Sequence, residues 1–325
     1  MSFPEVAAGC FVGVDMGGTH LRVAIADEAG KIRAQRRITT EGHLGPDNVI
    51  DRMADCISDA VESVSDLQTI CCTAVGLPGL VDGPSGMVRF LPNLPTQWRD
   101  VPMASMLREK LGSEVRLMND ARMATLGEWR FGHGSAYDDG SMVFLTIGTG
   151  VGGGVVVDGQ LRLGPTGSAG EIGHQTVCPD GPTCGCGNRG CLEAVASGPA
   201  IVAAAIKELR EDSASELMID LDANPSTLHP GQIAEAASMF PAMQKVLEDA
   251  FRWIGIGLAN AITILHPDLV VIGGGVATIE WDWESVVRRE VQRRVRMFDF
   301  DVDRIVRSRL GDDAGLRGAL ALAMQ

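Results

Sequence analysis

A glycine-rich hairpin that opens an alternation of strands and helices occurs twice in this chain, and no other feature limits its fold as much. The first hairpin is Val14-Asp15-Met16-Gly17-Gly18-Thr19, between apolar runs at 10–14 and 21–26 and followed by a third at 31–38. Apolar residues spaced at three and four (Val49, Ile50, Met53, Ile57, Ala60, Val61, Val64) predict a helix over 48–64, before a buried strand over 69–76 that ends in Leu77-Pro78-Gly79. A helix over 103–111, a strand over 115–118 and a helix over 121–129 follow. The second hairpin, Gly148-Thr149-Gly150-Val151-Gly152-Gly153-Gly154, lies between strands predicted over 141–146 and 153–157. Helices over 199–211, 232–237 and 242–265, with a polar loop over 220–230, lead to a strand over 269–272 that again runs into glycine, Gly273-Gly274-Gly275. An apolar helix over 315–324 closes the chain. One grammar used twice implies two related α/β lobes facing a cleft. The expected division is a lobe of 1–119, joined by the tail at 312–325, and a larger lobe of 120–311.

The hairpins suggest phosphate. Gly17 and Gly18 let backbone amides approach an anion, Thr19 adds a hydroxyl donor, and Asp15 is placed to hold a hydrated Mg2+. A single glycine turn is usually only a tight hairpin. Two in corresponding positions, with a third glycine triplet at 273–275, favour a nucleotide. Neither Gly-x-x-x-x-Gly-Lys-Ser/Thr nor a dinucleotide fingerprint is present. Phosphoryl transfer to a hydroxyl also needs a base or an orienting carboxylate. Asn119-Asp120, at a strand-to-helix junction, either supplies it or merely caps the helix. Pro92-Asn93-Leu94-Pro95 is a fixed turn that presents an amide, suited to a sugar hydroxyl or to nothing more than the turn.

A second dense motif is Gly170-Glu171-Ile172-Gly173-His174 followed by Cys184-Gly185-Cys186-Gly187-Asn188-Arg189-Gly190-Cys191-Leu192-Glu193. One imidazole and three thiols within the window 174–191 form a tetrahedral zinc set, closed by its own four ligands. Glu171 and Glu193 bracket it, where carboxylates held by a metal knot could grip a polyol. Cys178 lies close by but outside that spacing and reads as a free thiol.

Composition narrows the class. The 325 residues carry a formal net charge of −14, which disfavours non-specific binding to nucleic acid or an anionic membrane. No run approaches the roughly 20 apolar residues of a membrane span, and the first ten residues lack the charged start of a leader. A cytoplasmic protein is expected, with Cys10, Cys56, Cys71 and Cys72 as thiols rather than disulfides. The arginines of 288–296 are interleaved with acidic residues and read as a solvated helix face.

In order along the chain, Asp-x-Gly-Gly-Thr, Asn-Asp-Ala, Gly-Thr-Gly-x-Gly-Gly-Gly, Glu-x-Gly-His and Cys-Gly-Cys-Gly-x-x-Gly-Cys-x-Glu resemble the ROK (repressor, open reading frame, kinase) family of sugar kinases over 12–276. The resemblance implies an α/β, two-lobed actin-like ATPase (ribonuclease-H-like) fold closing over sugar and ATP. It implies that Asp120 is the catalytic base and that Pro78, Gly79, Asn93, Asn119, Asp120, Glu171, His174 and Glu193 face the sugar. Asp15, Gly17, Gly18 and Thr19, with Thr149, Gly150 and Gly152, would surround the phosphates and Mg2+, and Gly274 and Gly275 would line the adenosine side. His174, Cys184, Cys186 and Cys191 would bind a structural Zn2+, and the chain would form a homodimer.

The residue after Asn-Asp-Ala is often Asn in that family and here is Arg122, whose side chain either folds over the sugar or, as the first expectation, faces solvent. Regulators of the family carry a winged-helix segment before the first glycine loop, and only 14 residues precede Asp15 here, so an enzyme is expected. Asn119 to Glu128 is similar to the bacterial glucokinase branch, which makes phosphorylation of glucose at the 6-hydroxyl the first expectation. N-acetylglucosamine or N-acetylmannosamine comes next, then fructose or allose. A non-catalytic sugar sensor is disfavoured by the retained Asp120, and a zinc hydrolase by the closed Cys3His set.

Overall fold

The computed structural model describes residues 9–67, 69–92, 94–211 and 228–325. The polar loop expected at 220–230 falls largely outside them, as does Asn93. The described chain divides into two compact units, Met1–Ser135 with Leu163–Ala169 and Asp312–Gln325, and Ala136–Arg162 with Gly170–Gly311. The 120–135 stretch, assigned to the larger lobe from sequence, belongs to the first unit, as does a short excursion at 163–169 that the sequence did not signal.

The first unit is built on a sheet of five strands, β1 (Gly9–Met16), β2 (His20–Ala26), β3 (Ile32–Thr39), β4 (Thr69–Leu77) and β8 (Glu114–Asn119), in the order β3-β2-β1-β4-β8. β2 pairs antiparallel with both β1 and β3, while β4 pairs parallel with β1 and β8 parallel with β4. Helix α1 (Pro46–Glu62) starts with a proline at its first position and Asp47 in its first turn, both favourable at a helix N-terminus, and buries Val49, Ile50, Met53, Ile57 and Val61. These join Val12, Val14, Val23, Val75 and Leu117 of the sheet in one core. Between β4 and β8 lie a small antiparallel sheet, β5 (Leu80–Asp82), β6 (Met87–Leu91) and β7 (Trp98–Val101), and helix α2 (Met103–Leu111). Helix α3 (Asp120–Phe131) follows β8 directly. The C-terminal helix, Ala314–Ala323, packs Leu320 so closely on β1 that a Cβ at Gly13 would meet its backbone nitrogen at 2.9 Å.

The second unit repeats the plan. Its strands β9 (Met142–Ile147), β10 (Val151–Val157), β11 (Gln160–Leu161), β12 (Leu269–Gly273) and β13 (Ile305–Arg307) stand in the order β11-β10-β9-β12-β13, the first three antiparallel and the last two parallel. A short helix, α4 (Leu192–Ala196), and the 14-residue α5 (Gly198–Glu211) precede α6 (Pro230–Ala237) and the long α7 (Pro241–Leu265), whose Phe251, Ile254, Leu258 and Ile262 share a core with Val270 and Ile272. Helix α8 (Trp283–Arg294) buries Val287 and Val291, and its arginines pair with carboxylates: Arg294 with Glu290 at 2.6 Å, Arg288 with Asp303 at 3.4 Å. No described helix is long and apolar enough to cross a membrane.

Candidate functional site

In each unit the first two strands of the sheet meet at a glycine turn. At the first turn the Gly17 N–H donates to the His20 carbonyl at 2.8 Å, so it closes the turn, and Gly18 and Thr19 stand exposed beside it. Thr40, the residue after β3, ties the turn down, its hydroxyl donating to the Gly17 carbonyl at 2.7 Å. Asp15, at the end of β1, is ion-paired: Arg22, its register partner on β2, donates Nη2 and Nε to Oδ2 at 2.7 and 3.2 Å. Arg22 is held in turn by the carboxylate of Asp313, at 3.1 Å, and by the Asp312 carbonyl. A pocket of 390 Å³ opens over this turn, lined by Gly17, Gly18, Thr19, Arg22 and Arg37 among others. Asp15 and Asp312 line it too, and Arg22 is already paired, so the exposed amides of Gly18 and Thr19 with Arg37 are the groups that suit an anion.

The second turn is only Gly148-Thr149-Gly150, with the Gly148 N–H donating to the Gly150 carbonyl at 2.9 Å. Gly152, expected in the loop, is inside β10 opposite Thr146, because the ladder begins at Val151. Gly153 is required for another reason: a Cβ there would press on the Phe144 and Gly170 carbonyls. The Gly198 N–H, at the start of α5, donates to the Gly148 carbonyl at 2.8 Å. A cavity of 800 Å³ adjoins this turn, with Thr149, Val202, Leu228, Gly275 and Ile279 in its wall. Glu235 and Glu280 also line it, and its described lining includes no lysine or arginine.

The fourth strand of each sheet also ends alike. Gly79 after β4 has φ 86° and Gly274 after β12 has φ 84°, the region where glycine is favoured. Each backbone comes so close to its neighbour that a Cβ would collide, with the Phe90 carbonyl at Gly79 and with Ile147 at Gly274. Pro78 is buried. Gly275, with open space beside it, faces the 800 Å³ cavity.

Asn119 and Asp120 lie where β8 becomes α3. The capping role falls to Asn119, whose Oδ1 accepts from the N–H groups of Ala121 and Arg122 at 3.1 and 3.4 Å, while its Nδ2 donates to the Gly79 carbonyl at 3.1 Å. Asp120 Oδ1 accepts from the Ala121 N–H at 2.8 Å. The Arg122 side chain does not face solvent: it is 1% exposed and donates to the carbonyls of Ser168 and Ala169 and to Asn119. Those carbonyls belong to the 163–169 excursion, more than forty residues along the chain, and no local pattern reveals them.

In the second unit the Cys/His window folds as a knot. The ligand atoms of His174, Cys184, Cys186 and Cys191 all lie within 4.8 Å of one another, and Cys178 is not among them. The Cys186 and Cys191 sulfurs are 3.7 Å apart, and Cys184 Sγ is 3.6 Å from His174 Nδ1. A tetrahedron with Zn–S of about 2.3 Å and Zn–N of about 2.05 Å has edges of about 3.8 and 3.5 Å, so the four residues fit that ion. Gly190 is fixed by sterics, since a Cβ there would strike the Cys178 carbonyl. Burial pushes the Cys184 thiol up to about 12 and raises Cys191, whereas the exposed Cys186 is lowered, chiefly by the Asn188 N–H. Cys184 and Cys191 are buried in the knot, and Cys186 is exposed at its edge.

The two bracketing carboxylates differ. Glu171 Oε2 is 3.9 Å from His174 Nε2 at a half-exposed site. Glu193 binds the knot to the glycine turn: Oε2 accepts from the Val151 N–H at 3.0 Å, and Oε1 is 3.6 Å from Cys184 Sγ. A Cβ on Gly150 would press on the same carboxylate.

The profile of the ROK family matches residues 11–325. The chain belongs to the ROK family. Among its ROK relatives is a glucokinase from Thermotoga maritima, 36% identical over 312 residues, 96% of each chain. A ROK hexokinase from Thermus thermophilus superposes with a TM-score of 0.80 at 30% identity, over 96% of this chain and 97% of that one. A ROK glucokinase from Streptomyces griseus, solved with glucose and AMPPNP, superposes with a TM-score of 0.77 at 31% identity, over 97% and 99%. The duplicated sheet is thus the actin-like ATPase fold of ROK sugar kinases.

Proposed function

We propose that this chain transfers the γ-phosphoryl group of ATP to the 6-hydroxyl of an aldohexose, with glucose as the first substrate. The observation that carries the reading is the 800 Å³ cavity against the second glycine turn. Its apolar wall and two carboxylates suit a nucleoside, whose base can be buried and whose ribose can donate to carboxylate oxygens. The described lining of the same cavity offers no lysine or arginine to a polyphosphate, which needs a run of cations. Glucose is favoured by the glucokinases among the relatives, one of them solved with glucose and a nucleotide.

In this reading Thr149, Gly150, Gly274 and Gly275 hold the nucleotide. The exposed turn Gly17-Gly18-Thr19 with Arg22 and Arg37 meets phosphate oxygens, and Asp15 is kept in place by Arg22. Asp120 accepts the proton of the attacking hydroxyl and aligns it, and developing charge is met by turn amides already fixed in position. Mg2+ carried with ATP would neutralise phosphate charge. Asn119, Glu171, His174 and Glu193 are assigned to the sugar hydroxyls. Zn2+, if held by the Cys3His set, supplies structure only, fixing His174 and, through the Cys184 contact, Glu193. A homodimer belongs to the same reading and is checked by light scattering.

The test is ADP release by the purified chain over a panel of hexoses and N-acetylhexosamines, with ATP and polyphosphate compared as donors. ATP-dependent turnover highest with glucose is expected. Turnover only with an N-acetylhexosamine, or only with polyphosphate, would replace the reading.

A further inference from the structure

We infer that Arg122 is a positioning residue for the sugar, locking the Asn119 amide so that it meets the substrate as a hydrogen-bond donor. The inference rests on the assignment of Asn119 to the sugar made above. Arg122 lies three residues after Asn119, on the same side of the first turn of α3. At 1% exposure its guanidinium has left water and needs fixed partners. It donates Nη1 to Asn119 Oδ1 at 3.1 Å, Nε to the Ala169 carbonyl at 3.0 Å and Nη2 to the Ser168 carbonyl at 3.1 Å.

The orientation of a side-chain amide is often ambiguous, since its oxygen and nitrogen have the same outline. Here it is not. Asn119 Oδ1 faces three donors, the N–H groups of Ala121 and Arg122 and the Arg122 guanidinium. A flip would turn an NH2 group onto all three. The Nδ2 edge is therefore the one turned away, with one hydrogen on the Gly79 carbonyl and one to offer a ligand oxygen. The two backbone donors alone hold the oxygen less firmly, one of them at 3.4 Å. The other, the Ala121 N–H, is shared with Asp120 Oδ1, which it meets at the shorter distance of 2.8 Å, whereas the charged donor is braced from a separate segment by the carbonyls of Ser168 and Ala169. Those carbonyls belong to the 163–169 excursion of the same unit, so the same side chain also ties that segment to the start of α3. Lysine at this position keeps the charge but cannot reach three acceptors spread around a planar fork.

The experiment is a double-mutant cycle on the full chain, with KM for glucose, KM for ATP, kcat and the melting temperature measured for wild type, Arg122→Ala, Arg122→Lys, Asn119→Ala and Arg122→Ala/Asn119→Ala. Arg122→Ala is expected to raise the glucose KM by about tenfold, with the ATP KM changed by less than about twofold. Arg122→Lys should recover less than half of that effect. The double variant should have the glucose KM of Asn119→Ala alone, because the two residues act as one unit. A folded Arg122→Ala with wild-type glucose KM, or additive effects in the cycle, overturns the inference while leaving the kinase reading intact. If Arg122→Ala does not fold, the cycle run with Arg122→Lys decides by the same criterion. Wild-type protein that turns over no hexose, or Asn119→Ala with unchanged glucose KM, overturns the underlying assignment and the inference with it.

Discussion

The two five-stranded sheets share a strand order, a glycine turn between their first two strands and a left-handed glycine after their fourth, yet different groups lean on those shared points. Around the first turn stand Arg22 and Arg37, and the glycine after the fourth strand gives its carbonyl to Asn119. Against the second turn lies the Glu193 carboxylate, and the corresponding glycine is followed by one that faces a large apolar-walled cavity. The duplicated scaffold thus repeats the same two points, the turn and the end of the fourth strand. What stands beside them differs: the Asn119-Asp120 junction in one unit, the Cys/His knot and α5 to α6 in the other.

Predictions that break or sharpen this contrast run from large effects to small. Asp120→Ala should lower kcat by about a hundredfold to ten-thousandfold with glucose affinity retained, measured by ADP release and calorimetry; a near-normal rate removes the base from the first unit. Cys186→Ser should lose about one zinc ion per chain by elemental analysis and raise the glucose KM by about tenfold to a hundredfold. Zinc lost with an unchanged KM would make the knot a structural feature with no bearing on the sugar.

The paired glycines allow a crossed test. Gly79→Ala and Gly274→Ala should each cost about 1–3 kcal/mol of stability, seen as a lower melting temperature, because both force a Cβ into a left-handed residue beside backbone. Kinetics should separate them: Gly79→Ala should raise KM for glucose, Gly274→Ala KM for ATP. The same substrate affected in both would erase the contrast. Smallest is Arg37→Ala, expected to raise the ATP KM by about twofold to fivefold at low salt and less at high salt, since the side chain is exposed and screened.

What the sequence displayed was whatever is encoded locally. Periodicity marked α1, α2 and α7 within a few residues, and the glycine turns marked the ends of β1 and β9. The Cys3His window was readable because four ligands close in sequence fold onto one point. Less legible were the features that depend on distant partners. Strands β5 to β7 are three to five residues long, too short for a clear alternation, and exposed Leu80 and Arg99 blur what there is. Arg122 carries the most hydrophilic of side chains, and its burial depends on two carbonyls in another segment. The second glycine loop runs through Gly152 in the sequence pattern but stops at Gly150 in the structure, because a strand made of glycine looks like a turn until its partner is known.

The most direct measurement of the central claim is amide hydrogen exchange of the wild-type chain with and without each ligand. AMPPNP should slow exchange at 148–151 and 275–278, and glucose at 119–122 and 171–174. Protection by the nucleotide confined to 119–122, or glucose that leaves both 119–122 and 171–174 unchanged, would contradict it.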